Sequence, residues 1–155
     1  MLEVHLDDGP VGPLGAADDE LLCLGTRNGG LQIRERSTGK WRVYDKQTGL
    51  PANTVAQVAL DERSIWCAFG DGPLGVGRLD RRSGTWHFNT YRAGIPCNHI
   101  YCLQPEGMAL YVGTMANGFW RYDISAGRWD NLDLHHRSEH NPVRRADVYR
   151  LLMVR

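Results

Sequence analysis

Three histidines near the end of the chain form the one cluster whose residue types suit metal chemistry. His135 and His136 stand next to each other, and His140 follows four residues after His136. On a helix the last two would share a face, a spacing at which imidazoles chelate zinc or nickel. However, Asn141-Pro142 follows directly, and no periodic apolar face supports a helix. We therefore interpret the segment as a solvated loop and predict no metal and no cofactor.

Basic side chains close to these histidines could bind phosphate groups or an acidic partner. They are Arg137, Arg144, Arg145 and Arg150. Only Tyr149 offers an aromatic ring near them, whereas stretches that bind nucleic acid usually offer stacking platforms. The 18 basic and 18 acidic side chains of the chain also cancel, so no strong field attracts nucleic acid or an anionic membrane. We predict neither as a partner.

No short motif points to catalysis. The chain lacks a Gly-x-Ser-x-Gly elbow, a phosphate-cradling glycine loop and a His-Glu-x-x-His motif. We therefore predict that the protein is not an enzyme. A lyase or hydrolase built from residues scattered over several loops stays open as an alternative, and His99 and Asp71 are then the residues to test.

The cysteines and the first residues favour a reduced protein in the cytoplasm. Cys23 and Cys67 lie inside apolar segments, which predicts buried, reduced thiols. Cys97 and Cys102 have a spacing that matches no zinc signature. Residues 1–10 carry three acids and no apolar core, unlike a signal peptide. A signal could still precede these residues if the chain is a fragment.

The elements that must position these residues come from a repeat. An apolar segment occurs three times at spacings of 43 to 45 residues, each copy followed by a Gly-apolar pair, an acid and, six residues later, a tryptophan. The segments are 22–26, 65–69 and 110–114, the pairs Gly30-Leu31, Gly75-Val76 and Gly118-Phe119, and the tryptophans Trp41, Trp86 and Trp129. Such a period without a helix signal predicts an all-β fold of β-propeller blades, one four-stranded antiparallel sheet per repeat.

The repeat divides the chain into three parts. Residues 1–134 are predicted to hold three blades, preceded by the outer strand of another blade at 2–6. Residues 135–147 are predicted to be a polar loop, and 148–155 an inner strand of a following or partner-completed blade. The expected strands are 11–16, 21–26, 31–36 and 41–44 in the first blade; 55–60, 65–69, 76–80 and 86–90 in the second; and 100–103, 110–114, 119–123 and 129–132 in the third.

Several of these motifs resemble the repeats of the two-component regulator propeller family. Its pattern runs Gly-Leu-Pro-x-Asn-x-Val, then Leu-Trp-x-Gly-Thr, then Gly-Leu-x-Arg-Tyr-Asp. The matching segments are 49–55 and 94–100 for the first element, 110–114 for the second and 118–123 for the third. The chain departs from the pattern at Ala68-Phe69, where Gly-Thr is expected, and at Cys23, which takes an aromatic position. The resemblance implies a sensor-type propeller that binds ligand or mediates association.

Three blades are fewer than the roughly four to eight that close a propeller. Open blades expose apolar faces and unpaired strand edges, which stable proteins avoid. Either the chain is a fragment, or copies of it associate, or another protein supplies the missing blades. We predict a non-enzymatic interaction and scaffolding module, a partial propeller completed by self-association or a protein partner through its open edges. A small-ligand sensor is the alternative.

One face of the blades should gather the loops between second and third strands and the connections between blades. A ligand or partner would meet polar side chains there. These candidates are Arg27, Asn28, Asn53, Asp71, Asn98, His99 and Asn117. For Asn53 and Asn98 the favoured interpretation is a hydrogen bond to their own turns, because Asn stabilises turns in this way. The tryptophans are expected to pack between blades.

Overall fold

The computed structural model describes residues 15–70, 74–89, 99–114 and 118–132. The predicted outer strand at 2–6, the polar loop at 135–147 and the inner strand at 148–155 lie outside these ranges, as do the histidine cluster and the C-terminal arginines. In the described part of the chain, no helix is long and apolar enough to cross a membrane.

The described residues form twelve strands in three four-stranded sheets, and we call these sheets blades one, two and three. Blade one contains β1 (Gly15–Ala17), β2 (Leu21–Gly25), β3 (Leu31–Glu35) and β4 (Trp41–Tyr44). Blade two contains β5 (Val55–Leu60), β6 (Ser64–Phe69), β7 (Val76–Asp80) and β8 (Trp86–Asn89). Blade three contains β9 (Ile100–Glu106), β10 (Ala109–Thr114), β11 (Phe119–Asp123) and β12 (Arg128–Asn131). Neighbours in sequence pair antiparallel in every blade, and no sheet closes on itself. The predicted all-β propeller-blade fold is confirmed.

The Gly-apolar pair of each repeat has a conformational cause. Gly30, Gly75 and Gly118 have φ angles of 71°, 74° and 73°, in the left-handed region that favours glycine. A Cβ atom on Gly30 would lie 1.9 Å from the carbonyl oxygen of Tyr44. The glycine therefore lets the chain enter the third strand directly beneath the end of the fourth.

Blade two lies between the other blades, and its second strand contributes to both contacts. All six residues of β6 are buried. Ile65, Cys67 and Phe69 belong to the apolar cluster shared with blade one. Trp66 and Ala68 belong to the cluster shared with blade three. Because side chains alternate along a strand, this one segment buries both faces.

Strand β9 extends to Glu106, three residues beyond its predicted end. Pro105 lies within it and pairs with Leu110. Proline is tolerated because β9 is an edge strand of its sheet, where a missing N–H breaks no ladder. Strand β1 is described from Gly15 onward, so most of the predicted strand at 11–16 lies outside the described residues.

Candidate functional site

The antiparallel order of the strands sorts the loops onto two opposite ends of the blades. One end, which we call the connection face, carries the loops between second and third strands and the links between blades. The other, the hairpin face, carries the turns that join first to second and third to fourth strands. Any site built from loops must belong to one of these two faces.

Four of the predicted site residues lie on the connection face. Arg27 and Asn28 are in the loop between β2 and β3, Asn53 is in the link between blades one and two, and His99 stands directly before β9. The remaining predicted residues, Asp71, Asn98 and Asn117, lie outside the described part of the chain. The connection face thus brings 27, 28, 53 and 99 to one end of the fold.

Asn53 holds the link between blades one and two. Its side-chain oxygen accepts a hydrogen bond from the Lys46 N–H at 2.9 Å. Its carbonyl oxygen accepts one from the Gly30 N–H at 2.8 Å. Next to it, the Thr54 hydroxyl donates to the Arg27 carbonyl oxygen. These bonds give Asn53 the structural role that its position after a proline-containing turn predicts.

On the hairpin face, Arg81 joins blade two to blade one. Its guanidinium contacts the Asp18 carboxylate at 2.6 Å and the Glu20 carboxylate at 2.7 Å, both in the turn between β1 and β2. It also donates to the Asp61 carbonyl oxygen at 2.8 Å. The Arg81 side chain is only 12% exposed. We call this set of contacts the arginine clamp.

The clamp also changes the acidity of Asp18. Burial alone raises the pKa of this carboxyl group. Hydrogen bonds from the Leu21 N–H, the Arg81 guanidinium and the Glu20 N–H, together with the charge of Arg81, outweigh burial and hold the pKa below its usual value. Asp18 is therefore an anion that both shapes its own turn and binds the neighbouring blade.

Sequence reasoning missed the clamp. It assigned no role to residues 18–20 or to Arg81. The available signal was positional, because Arg81 directly follows the acid that closes the third strand of its repeat, and Arg36 takes the same position in blade one.

A cleft of about 500 Å³ opens between blades one and two beside the clamp. Leu21, Ile65 and Leu79 give it an apolar floor, and charged side chains surround it. The rim residues include Glu20, Glu35, Arg42, Asp80 and Arg81. Since Arg81 and Glu20 already bind each other across the cleft, the charges stabilise the contact between blades.

Aromatic residues pack at both contacts between described blades, as the sequence predicts, whereas Trp41 lies on the side of blade one that faces no described blade. Tyr44 of blade one meets Trp86 of blade two edge to face, with ring centroids 5.5 Å apart. Trp66 is fully buried and meets Tyr122 of blade three at 6.5 Å. Its indole N–H donates to the Asp61 carboxylate at 3.0 Å, so the polar tip of the ring is satisfied.

The thiols also agree with the prediction where they are described. Cys23 and Cys67 are free and buried, and Cys102 is free and half-buried. Burial raises the pKa of Cys23 to about 12 and raises the pKa of Cys67 as well. These two thiols are held in their neutral, unreactive form. Cys97 lies outside the described residues.

The far side of blade one does not face another described blade. Leu22 and Leu24 point away from blade two, since the cluster shared with that blade holds Leu21 and Cys23. Through the strand pairs, Trp41 and Val43 lie on the same side, with the polar Gln32 and Arg34 between them and the leucines. We call the four apolar residues Leu22, Leu24, Trp41 and Val43 the leading face. Leu22 and Leu24 are half-buried, whereas their counterparts in blade two, Ile65 and Cys67, are 2% and 0% exposed.

Blade three has a corresponding side that faces away from blade two. Tyr111 lies there and stacks on Phe119 with ring centroids 5.7 Å apart. Arg121 is paired opposite Tyr111 and contacts the Asp123 carboxylate at 3.3 Å and the Asp130 carboxylate at 3.8 Å. We call these five residues the trailing face. Among the described residues, these two sides are thus of the kind that blades normally bury, and no further blade covers them.

Comparison with known proteins supports the fold. No family profile matches the chain, and no curated protein matches it significantly. The extracellular domain of BT4673 from B. thetaiotaomicron, assigned to a hybrid two-component system, is 20% identical with a TM-score of 0.60. The match covers 76% of this chain and 16% of that one. The corresponding domain of BT3049 from the same organism gives 19% identity, a TM-score of 0.59 and coverages of 74% and 15%.

A computationally designed protein, Ika4, is also similar. It is 14% identical with a TM-score of 0.57, and the match covers 81% of this chain and 74% of Ika4. The chain thus spans less than a fifth of the length of the two bacterial domains. At these identities the likeness concerns the fold, and it agrees with the regulator-propeller pattern in the sequence. The chain folds as a set of propeller-type blades similar to those of extracellular domains assigned to two-component systems.

Proposed function

We propose that the protein is a non-enzymatic interaction module whose open blade faces bind protein. The observation that carries this proposal is the pair of leading and trailing faces. The four residues of the leading face take the register positions that Ile65, Cys67, Trp86 and Phe88 take in blade two. In blade two, Ile65, Cys67 and Trp86 pack in the cluster shared with blade one, and Phe88 stacks on Trp86. In blade one these four positions contact no described blade.

The energetics favour a partner on these faces. Complete burial of one large aliphatic side chain contributes about 1.5–3 kcal/mol. Leu22 and Leu24 are only half-buried. A partner that covered them would therefore gain part of this free energy. Apolar residues grouped on one sheet face are typical of interaction sites.

Hydroxyl-radical footprinting tests whether the leading face is a contact surface. We expect Trp41 and Val43 to become protected as the protein concentration rises or as extract from the native host is added. Leu24→Glu places a charge among them and should abolish this protection, since the charge must lose water on contact. Thr85→Glu adds the same charge to the exposed β7–β8 turn and should change nothing. Wild-type oxidation that depends on neither concentration nor extract would contradict the proposal.

A small-ligand sensor is the second candidate. Its support is the likeness to extracellular domains assigned to signalling systems. The ligand would bind at the connection face, where Arg27 and Asn28 are exposed. A ligand screen by thermal shift would then find a compound that stabilises the wild type but not Arg27→Ala. A compound that stabilises both equally would argue against this face.

A further inference from the structure

The position that Arg81 takes in the arginine clamp has a structural equivalent in each of the other two blades. The N–H of Arg81 donates to the carbonyl oxygen of Arg63 at 2.9 Å. The N–H of Arg36 donates to Glu20 at 2.8 Å, and that of Ile124 donates to Met108 at 3.0 Å. These bonds are the same contact in three blades. Residues 36, 81 and 124 are therefore structural equivalents.

The acid that receives the arginine also has an equivalent in every blade. The N–H of Asp18 donates to the carbonyl oxygen of Leu21, three residues later in the chain. The N–H of Asp61 donates to the carbonyl oxygen of Ser64 in the same way. In blade three, Glu106 pairs with Ala109 across the two-residue turn of β9 and β10. Glu106 thus takes the place of Asp18 and keeps its charge.

The contacts between blades within one chain use only some of these arginine and acid positions. Arg81 binds Asp18 between blades one and two. Between blades two and three the arginine position is Ile124, which packs on the apolar cluster there. Arg36 at one open end and Glu106 at the other remain, both exposed. Neither side chain forms an ion pair with another described residue.

The two charges that remain are opposite in sign and lie in the first and third described blades. Arg36 belongs to blade one, which carries the leading face, and Glu106 belongs to blade three, which carries the trailing face. In a contact of the type seen between blades one and two, the arginine of the later blade binds the acid of the earlier blade. Blade one of one copy would thus follow blade three of another, with Arg36 on Glu106.

We propose that a second copy of this chain covers these faces, head to tail, with an Arg36–Glu106 ion pair at each junction. This inference rests on the proposed function and names its partner. Two copies bring together six described blades, within the roughly four to eight of closed propellers. A two-fold axis that coincides with the central axis of the ring makes both junctions identical, as in a symmetric dimer. Each dimer then contains two such pairs.

Charge reversal tests the pairing. Arg36→Glu and Glu106→Arg should each weaken the dimer, by about tenfold or more for two junctions, because an attraction becomes a repulsion. The double variant Arg36→Glu/Glu106→Arg should recover most of the affinity, since both junctions regain opposite charges. Dissociation constants from sedimentation equilibrium provide the measurement. Glu62→Arg and Arg82→Glu are the matched controls, because they reverse exposed charges on the hairpin face of the middle blade.

Disulfide trapping tests the geometry independently. An equimolar mixture of Arg36→Cys and Glu106→Cys chains should form a disulfide-linked heterodimer under mild oxidation. The mixture of Arg36→Cys and Glu62→Cys should not, because position 62 lies in the middle blade. This experiment requires no particular strength of the ion pair.

The outcomes separate the inference from the proposed function. A dimer weakened by both reversals, restored in the double variant and trapped by the 36–106 disulfide supports head-to-tail pairing. A dimer that is indifferent to the reversals and forms no 36–106 disulfide overturns it. A wild-type chain that stays monomeric at all concentrations also overturns it. If host extract then protects Trp41 and Val43 in that monomer, the interaction module stands and its partner is a different protein.

Discussion

Arg81 joins blades one and two by polar contacts on the hairpin face. Its guanidinium binds two carboxylates of one blade and a carbonyl oxygen of its own. A mostly buried cation with several partners matters more than an exposed ion pair, because its removal leaves those partners unsatisfied.

Replacement of Arg81 should therefore destabilise the fold. Arg81→Met keeps most of the aliphatic stem but removes all three hydrogen bonds. We expect a loss of about 1–3 kcal/mol in the free energy of unfolding, measured by urea titration. Arg82→Met, at the exposed neighbouring position, should cost almost nothing. Equal losses in the two variants would show that the clamp does not stabilise the contact.

Asp18 should make the stability depend on acid. Its pKa lies below the ordinary value of 3.8 in the folded protein. The stabilisation is therefore fully present above pH about 4. It is lost as the pH falls through the folded pKa, because protonation removes the anion that Arg81 binds. Unfolding measured at pH 7 and pH 3 should show a smaller acid effect in Asp18→Asn than in the wild type. An identical acid effect in both would rule out this contribution.

At the residue scale the sequence predicted some roles and not others. The turn role of Asn53 and the buried thiols of Cys23 and Cys67 follow from local context, such as a preceding proline or an apolar neighbourhood. The Arg81 contact joins residues more than 60 positions apart. Its partners become visible only when blades one and two lie side by side.

The elements of this fold depend on glycines that local sequence alone identifies. Each blade has one left-handed glycine before its third strand and another in the turn before its fourth. The latter are Gly39, Gly84 and Gly127, with φ angles of 70°, 71° and 62°. The recurrence of glycine at fixed offsets is why the strand positions were predictable within a few residues. The extension of β9 was not, since Pro105 argues against a strand unless its edge position is known.

Replacement of two glycines that share a φ angle distinguishes the cost of backbone strain from the cost of a steric clash at the added Cβ atom. Gly30 and Gly84 both have a φ of 71°. A Cβ atom on Gly84 would meet nothing within 4 Å, whereas one on Gly30 would collide with the Tyr44 carbonyl oxygen. Gly84→Ala should cost about 1–2 kcal/mol from the backbone alone. Gly30→Ala should cost clearly more in the same urea titration. Similar costs would mean that the chain relaxes around residue 30 without loss.

At the scale of the molecule, the proposed function rests on the three blades that the described residues form. Because side chains alternate along β6, the middle blade buries both of its sheet faces. Among the described blades, blades one and three each bury one sheet face against it. The sequence predicted this incompleteness from the repeat count. It did not show which charges flank the open faces, because equivalence between Arg36, Arg81 and Ile124 needs the backbone contacts.

The mass of the purified chain in solution tests whether a second copy covers the leading and trailing faces. Light scattering coupled to size exclusion, over a hundredfold range of concentration, measures it without a label. We expect twice the chain mass of 17.5 kDa at high concentration, falling toward one chain mass on dilution. A mass of one chain throughout that range would contradict closure of the open blades by a second copy.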